Sequence, residues 1–344
     1  MTEESQSQPQ PASKADVEVG ISDVQLDREC IIEEFIKLKG VGRSRAEKFI
    51  DAGYVSLAQI AIADVRDFAE RTCLAKNSAE QVISNARGLE GIGEFETLDL
   101  MAEEEEKEDH LTTGSKIVDQ LLGGGFPTGL ITEVHALNGV GKTQLCLTAA
   151  VNATRPIEEG GLDCHVLYVD AENTFSAKRA LEIANARGYD VSDVAKKVHC
   201  VKANNSAHQI LLMDKIKEEA GKYHVRLLIV DSIISHFRNE YIGRGALSER
   251  QQQLNRYLAQ LLEFAIANDA VVLVTNQMMS SPDGFAFGPS EVATGGNCLG
   301  HACATRLLIR RGQAGKKIIK LEKSPKLPVG EAICTVNDKG LTDA

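Results

Sequence analysis

The sequence predicts an α/β fold in which a mostly parallel sheet carries helices on both faces, preceded by a small all-α domain. Three observations predict it. From residue 111 onward, apolar, β-prone runs at 130–135, 166–171, 197–202, 226–231 and 270–275 alternate with helical patterns, which is how βαβ units read in sequence. The first run leads into Ala136-Leu-Asn-Gly-Val-Gly-Lys-Thr143, and a helical stretch over 144–151 leads out, so a Gly-rich loop joins a strand to a helix N-terminus. Between 28 and 90, Ser44 with Glu47, Ser56 with Gln59 and Ser78 with Gln81 form capping pairs that mark the starts of short helices.

Composition sets the outer bounds. A chain of 344 residues has room for one large domain and a small one. Its 43% apolar and 25% charged content is that of a globular protein. A net charge of −11 excludes a uniformly basic nucleic-acid binder, though not a local basic track. The eight cysteines form no CxxC pair and several lie in apolar runs, so they read as reduced, mostly buried thiols of an intracellular protein. With no signal peptide and no run long enough to span a membrane, the expected location is the cytoplasm, nucleoid or nucleus.

Taken in order, residues 1–22 hold Ser, Gln, Pro and acidic residues with little to bury, and read as a disordered tail. Residues 23–90 form the helical domain. Its segment Leu38-Lys-Gly-Val-Gly-Arg-Ser-Arg-Ala-Glu-Lys48 resembles the turn of a helix-hairpin-helix module, where a Gly-x-Gly turn offers backbone N–H groups to a DNA phosphate. Gly40, Gly42 and Arg43 are the expected contacts, with Lys37, Lys39, Arg45 and Lys48 around them. A helical linker hairpin with a solvated charged face gives the same pattern. Residues 91–110 are a linker whose run Glu103-Glu-Glu-Glu-Lys-Glu-Asp109 is expected to be solvated and mobile. The core is 111–344.

The chemistry begins at the Gly-rich loop. Gly139 and Gly141 let backbone N–H groups turn onto phosphate oxygens at a helix N-terminus that already favours anions. Lys142 is placed to reach the β- and γ-phosphates and Thr143 to offer a hydroxyl to Mg2+. Asn138, Gly139, Val140, Gly141, Lys142, Thr143 and Gln144 therefore form the expected cradle of a nucleoside triphosphate, although Ala136 stands where the pattern opens with Gly. Asp231 ends the apolar run Arg226-Leu-Leu-Ile-Val-Asp231 at the carboxyl edge of the sheet, where it would hold Mg2+. A third strand end, Val166-Leu-Tyr-Val-Asp170-Ala-Glu172, offers a carboxylate to orient an attacking water. Residue type alone leaves both Asp170 and Glu172 open for that task.

The ordered set of Gly-Val-Gly-Lys-Thr-Gln144, Tyr168-Val-Asp-Ala-Glu-Asn-Thr-Phe175, Leu228-Ile-Val-Asp-Ser232, Gly243-Arg-Gly-Ala-Leu-Ser248 and Thr275-Asn-Gln277 continues with Gly295-Gly-Asn297, His301-Ala-Cys-Ala-Thr-Arg306 and Ser324-Pro-Lys-Leu-Pro328. Together these resemble the archaeal RadA and eukaryotic Rad-type recombinases of the RecA family, over about residues 28–344. The resemblance implies a RecA-like P-loop ATPase core behind the helix-hairpin-helix domain. It implies a DNA-dependent ATPase using ATP and Mg2+, assembled as a helical filament or ring on single- and double-stranded DNA. Homologous pairing and strand exchange in DNA repair follow as the expected activity, with other recombinase-family proteins as partners and no membrane partner. A paralogue or mediator that binds ATP and DNA without exchanging strands is the alternative. A hexameric helicase-type motor is the second, which the helix-hairpin-helix domain counts against.

Carried over by position, the resemblance puts the catalytic glutamate on Glu172, an adenine-stacking guanidinium on Arg179, and γ-phosphate sensing on Gln277 and His301. A first DNA-binding loop falls at about 238–246, with Arg238, Tyr241 and Arg244; Arg250 begins the next helix, which Ser248 and Gln251 are expected to cap. The second loop, about 278–296, has no Lys or Arg, so Phe285, Phe287 and the backbone near Gly295 and Gly296 are its expected contacts. The segment holding Pro325 completes the ATP site of a neighbouring subunit. Lys323 precedes it where relatives commonly carry an Asp that helps hold a monovalent cation. Phe95-Glu-Thr-Leu98 stands where relatives dock Phe-x-x-Ala on the next subunit. Asn173 replaces a Gly, and Ser176 stands where relatives carry Arg. These departures leave the expected fold and the recombinase reading in place but add weight to the paralogue alternative.

Overall fold

The structure is a computed structural model that describes residues 28–93, 95, 97–280 and 291–344. The tail over 1–22 and both Phe285 and Phe287 lie outside the described residues, and Arg244 is described in its backbone alone. The chain divides into two compact units, residues up to 93 and residues from 94 on.

The first unit is helical. It comprises α1 (28–36), α2 (Arg43–Asp51), α3 (Leu57–Ile62), α4 (Val65–Thr72) and α5 (Lys76–Glu90). Its core is a chain of aromatic contacts, with Phe35, Phe49, Phe68 and Tyr54 meeting in succession at centroid distances of 6.0, 5.2 and 4.9 Å. One capping pair forms as expected: Ser56 accepts from the backbone N–H of Gln59, whose side chain accepts from Val55 N. The other two do not. α2 starts one residue before Ser44, behind Gly42, and α5 starts two residues before Ser78, behind Ala75, neither with a side-chain cap. Asp64 supplies an unforeseen cap for α4 by accepting from Arg66 N and Asp67 N.

The second unit opens with α6 (Leu98–Glu105), β1 (His110–Leu111), α7 (Lys116–Leu121) and β2 (Phe126–Pro127), in which β1 and β2 pair antiparallel. Then come β3 (Ile131–Ala136), α8 (Lys142–Ala153), β4 (His165–Asp170), α9 (Ala177–Arg187), α10 (Val191–Lys197) and β5 (Val198–Lys202). α11 (Ser206–Ala220), β6 (Val225–Asp231), α12 (Ser235–Glu240), α13 (Leu247–Ala267), β7 (Val271–Ser280) and β8 (Glu291–Ala293) follow. The chain closes with α14 (Gly296–Ala302), β9 (Thr305–Arg311), β10 (Lys317–Lys323), β11 (Gly330–Asn337) and β12 (Gly340–Asp343).

The main sheet runs β12-β11-β10-β9-β3-β7-β6-β4-β5, parallel from β9 to β5 and antiparallel from β9 to β12. Its central parallel strands β3, β4 and β6 are buried on both faces, and the period of two divides their residues between two cores. Val166, Tyr168, Leu227, Ile229 and Leu273 pack with α8 and α9, while Leu167, Val169, Leu228, Val230 and Val274 pack with α11 and α13. The α13 stripe of Leu254, Leu258, Leu261 and Ala265 is buried. Ser248 does not cap that helix, because α13 already starts at Leu247 behind Ala246.

Two further expectations are corrected. Cys146, Cys164, Cys303 and Cys334 are buried, but Cys30, Cys73 and Cys200 are exposed, the last on the edge strand β5. The acidic run is not wholly solvated: Glu105 and Glu108 face Lys326, and Asp109 pairs with the buried Arg226 at 2.8 Å. Complementary cations lie within reach of it, and Glu103 to Glu105 take part in the exposed helix α6. Among the described residues no helix is long and apolar enough to cross a membrane.

Candidate functional site

β3 ends at Ala136 and α8 begins at Lys142, with the loop between them turning on Gly139 (φ +70°) and Gly141 (φ +131°). A side chain at either position would be strained. Ala136 lies within the regular strand and needs no such freedom, which is why alanine serves there. No side chain caps α8, so its first N–H groups point at the place a phosphate would take. Lys142 folds back over the loop, its ammonium 3.3 and 3.4 Å from the carbonyls of Ala136 and Leu137. Burial lowers its pKa, opposed by the charges of Glu172 and Asp231.

Three parallel strands deliver their carboxyl ends beside this loop. Asp231, at the end of β6, is 1% exposed. Its Oδ2 accepts from Thr143 Oγ1 and Tyr168 OH, both at 2.8 Å, and its Oδ1 from Thr275 Oγ1 at 2.5 Å. A hydroxyl and a carboxylate side by side are hard oxygen donors of the type Mg2+ takes alongside phosphate and water. Among the described residues no cluster of three or more His, Cys, Asp or Glu could enclose a metal, and a cation shared with a substrate phosphate needs none. Thr143 and Asp231 thus fit the ion.

At the end of β4 the two competing carboxylates separate by their partners. Asp170 is buried and accepts from the backbone N–H groups of Glu172, Thr174 and Phe175 at 3.1–3.2 Å. Its charge is spent on building the turn. Glu172 is what that turn presents: its Oε1 accepts from Ser232 Oγ at 2.6 Å and from Gln277 Nε2 at 2.7 Å. The departures nearby have local reasons. Asn173 takes φ +55°, a conformation Gly adopts freely and Asn tolerates, and Ser176 caps α9 by accepting from Arg179 N. Arg179 joins Gln144 (3.0 Å) to the carbonyls of Asn337 and Asp338 in the β11–β12 turn, fixing its guanidinium beside the first turn of α8.

With this geometry in place, the Rad51 family model matches residues 106–344. The chain belongs to the Rad51 family. It therefore carries the RecA-like α/β core of a RecA-family recombinase, and Rad51/RecA family members are DNA-dependent ATPases that bind ATP with Mg2+. The match starts at 106, so the helix-hairpin-helix reading of the first unit rests on its own turn.

The other positions carried over from the Rad-type recombinases lie apart from this centre. His301 is exposed in the last turn of α14, and among the described residues no hydrogen bond joins it to Glu172 or Gln277. Lys323 instead closes that helix end, donating to the carbonyls of Gly300 and Cys303 at 2.8 and 2.9 Å. Pro325 is exposed in the segment after β10. Gly295 caps α14 at φ +96°, where a Cβ would meet Leu299 at 2.4 Å, and Gly296 follows at φ +61°.

Among the expected DNA contacts, Arg238 lies in α12 and Arg250 in the first turn of α13, while Arg244 begins a 3₁₀ turn between them. Tyr241 stacks its ring at 6.4 Å from Phe237 and packs on the core. In the first unit Gly40 takes φ +81° and Gly42 precedes α2 without a side-chain cap, leaving N–H groups at the turn. Arg43 is committed to Glu29 and Glu47, and Arg45 to the carbonyl of Gly40. Lys37, Lys39 and Lys48 have no ion-pair partner among the described residues.

Sequence reasoning missed the polar setting around these groups. Ser232, Tyr168 and Thr275 hold the two carboxylates, although each lies inside a quoted motif. It also missed a buried network: Glu133 accepts from Asn276 at 2.7 Å and from Arg306 at 2.5 Å, and His135 bonds Glu322 at 3.0 Å. A glutamate within an otherwise buried strand was the available signal.

Proposed function

We propose that this chain is a DNA-dependent ATPase that assembles as a filament on single-stranded DNA and promotes homologous pairing and strand exchange. The observation that supports it best is the convergence of Glu172, Ser232 and Gln277 above the Thr143–Asp231 pair. In this reading the N–H groups of 138–144 and the Lys142 ammonium hold the triphosphate, and Arg179 faces the adenine. Thr143 and Asp231 would hold Mg2+, which would supply positive charge to the phosphate oxygens. Glu172 orients a water in line with the γ-phosphorus. As the water's oxygen bonds phosphorus, the bond to the β–γ bridging oxygen breaks with its electron pair staying on ADP, the water's proton passes through Glu172 to solvent, and ADP and phosphate result. Gln277, bonded to Glu172 on one side, leads on the other into the expected loop 278–296, whose flanks are strand rather than loop, 278–280 in β7 pairing with 291–293 in β8. In this reading it links the γ-phosphate to DNA. The segment 324–328 of a neighbouring subunit completes the site.

One observation favours a second reading, a recombinase paralogue that binds ATP and DNA without exchanging strands. Phe95 and Leu98 are both largely exposed, and Leu is bulkier than the small residue relatives place there, which would weaken docking on a second copy. Strand exchange measured with ATP and with a non-hydrolysable analogue separates the two. Robust exchange sinks the paralogue reading; ATP and DNA binding without exchange sinks the first.

A further inference from the structure

The acidic run ahead of the core meets one specific cation. Lys326, in the middle of the segment 324–328, donates to Glu108 at 2.9 and 3.0 Å and lies 3.5 Å from Glu105. Partial burial works against its charge, yet the bond to Glu108 holds the ammonium above its ordinary pKa. Both sides of this contact are anchored. Asp109 pairs with the buried Arg226 and β1 begins at the next residue, so Glu108 projects from a fixed point. On the other side, Ser324 Oγ accepts from the N–H groups of Lys326 and Leu327, each at 3.2 Å, and Leu327 packs over Gly123 and the core. A cavity of about 200 Å³ lies between them, lined by Glu105, Glu108, Pro127 and Pro325 among others.

We propose that Glu105 and Glu108 clamp Lys326 and so position the segment Ser324-Pro-Lys-Leu-Pro328 against the ATP of the next subunit. The clamp rests on the reading of that segment as a trans element of the nucleotide site. Six of the seven residues in the run 103–109 are acidic, so a single lysine opposite them is captured from a range of postures. The same stretch of chain carries exposed Phe95 and Leu98 ahead of its acidic part. Seating those apolar residues on a second copy restrains α6, and through Glu105 it restrains Lys326. Subunit docking and closure of the ATP site then become one linked event. Lys326, Glu105 and Glu108 are positioning residues and do not touch the nucleotide.

The test is DNA-stimulated ATPase of the full chain on single-stranded DNA. It compares Lys326→Glu, the pair Glu105→Lys with Glu108→Lys, and the triple variant that restores opposite charges in reversed order. Lys326→Glu is expected to raise KM for ATP about threefold to tenfold, the scale of two exposed ion pairs, with kcat within about twofold. The melting temperature of the free chain should fall by at most a few degrees, and the triple variant should return KM to near the parent value. An unchanged KM in Lys326→Glu, or a triple variant no better than the single, overturns the clamp. A parent protein without ATPase that Lys142→Ala removes overturns the nucleotide-site reading, and the clamp with it. An active parent indifferent to Lys326→Glu overturns the clamp alone.

Discussion

Gln277, three residues before the end of β7, donates its side-chain amide at 2.7 Å to Oε1 of Glu172, two residues past the end of β4, and β7 and β4 do not pair with each other. Ser232, the residue that follows β6, the strand lying between them in the sheet, donates to the same oxygen. Oε2 of Glu172 accepts no hydrogen bond among the described residues, which leaves that oxygen for a water. A strand that leads toward the candidate DNA-binding loop is therefore one bond from the candidate water-orienting carboxylate.

Glu172→Gln keeps the shape and removes the negative oxygen. ATP binding and filaments should persist while turnover falls about 10²–10⁴-fold, the contribution of a positioned general base. Asp170→Asn should act otherwise, because its partners are three N–H groups of the turn; it should lower stability by about 1–3 kcal/mol. If hydrolysis survives in Glu172→Gln and disappears in Asp170→Asn, the assignment is reversed.

Lys142→Ala removes the ammonium that lies over the carbonyls of Ala136 and Leu137. Nucleotide binding should vanish, and ATP-dependent filaments with it, while circular dichroism of the free chain stays that of the parent. Normal ATP-dependent assembly by this variant would refute the placement of the triphosphate.

Acid should destabilise the core through His135. This histidine is 2% exposed, bonded to Glu322 and 4.0 Å from Glu133, which Arg306 also holds. Burial lowers its pKa below 6.5, opposed by the charges of Glu133 and Glu322. A base with a depressed folded pKa binds fewer protons folded than unfolded, so stability rises with pH across that interval. Stability should be full above pH 6.5 and fall as pH drops toward the folded value; His165 and His224, lowered mainly by burial, add to the slope. Thermal melts from pH 7 to 5 check it: His135→Gln should flatten the fall, and an unchanged slope excludes His135 as its source.

Much of the nucleotide site was legible because spacing and strand context constrain it: Lys142 and Thr143 must follow a glycine turn, and Asp231 must end a strand. The choice between Asp170 and Glu172 was not legible, since both are strand-end carboxylates that differ only in which donors reach them. Three of four capping pairs misled, at Ser44, Ser78 and Ser248, because the pattern is short and common while backbone turns at Gly42, Ala75 and Ala246 set the actual starts. The antiparallel strands β9 to β12 escaped notice because one of their faces carries Arg310, Lys320 and Glu331 in place of apolar residues. The acidic run looked solvated because its partner, Lys326, lies 218 residues away from Glu108 in sequence.

DNA binding offers a check on the first loop. Arg250 lies in the first turn of α13, and the first-loop reading gives it a phosphate contact in place of a base contact. Arg250→Ala should weaken single-strand binding with little dependence on sequence and reduce the salt slope by about one. A slope identical to that of the parent would place the phosphate track elsewhere.

The last prediction concerns Lys323, whose ammonium donates to the carbonyls of Gly300 and Cys303 at 2.8 and 2.9 Å. Carbonyls at a helix C-terminus are partly negative and attract cations, and bare carbonyl oxygens are also the ligands that replace water around a potassium ion. The resemblance implies that an Asp at this position in relatives helps hold a monovalent cation between the ATP phosphates and the adjoining subunit; a lysine cannot ligate one, because its ammonium only donates. Here the ammonium already occupies the carbonyl oxygens and brings a covalently tethered positive charge to the end of α14, one residue after His301. ATPase and filament formation should therefore need little added potassium, and Lys323→Asp should create such a need by freeing the oxygens and adding an anionic ligand. DNA-stimulated ATPase in sodium, potassium and bulky organic-cation buffers of matched ionic strength measures it. Strong potassium dependence in the unmodified protein rules the substitution of ion by ammonium out, and a Lys323→Asp variant as indifferent to potassium as its parent does the same.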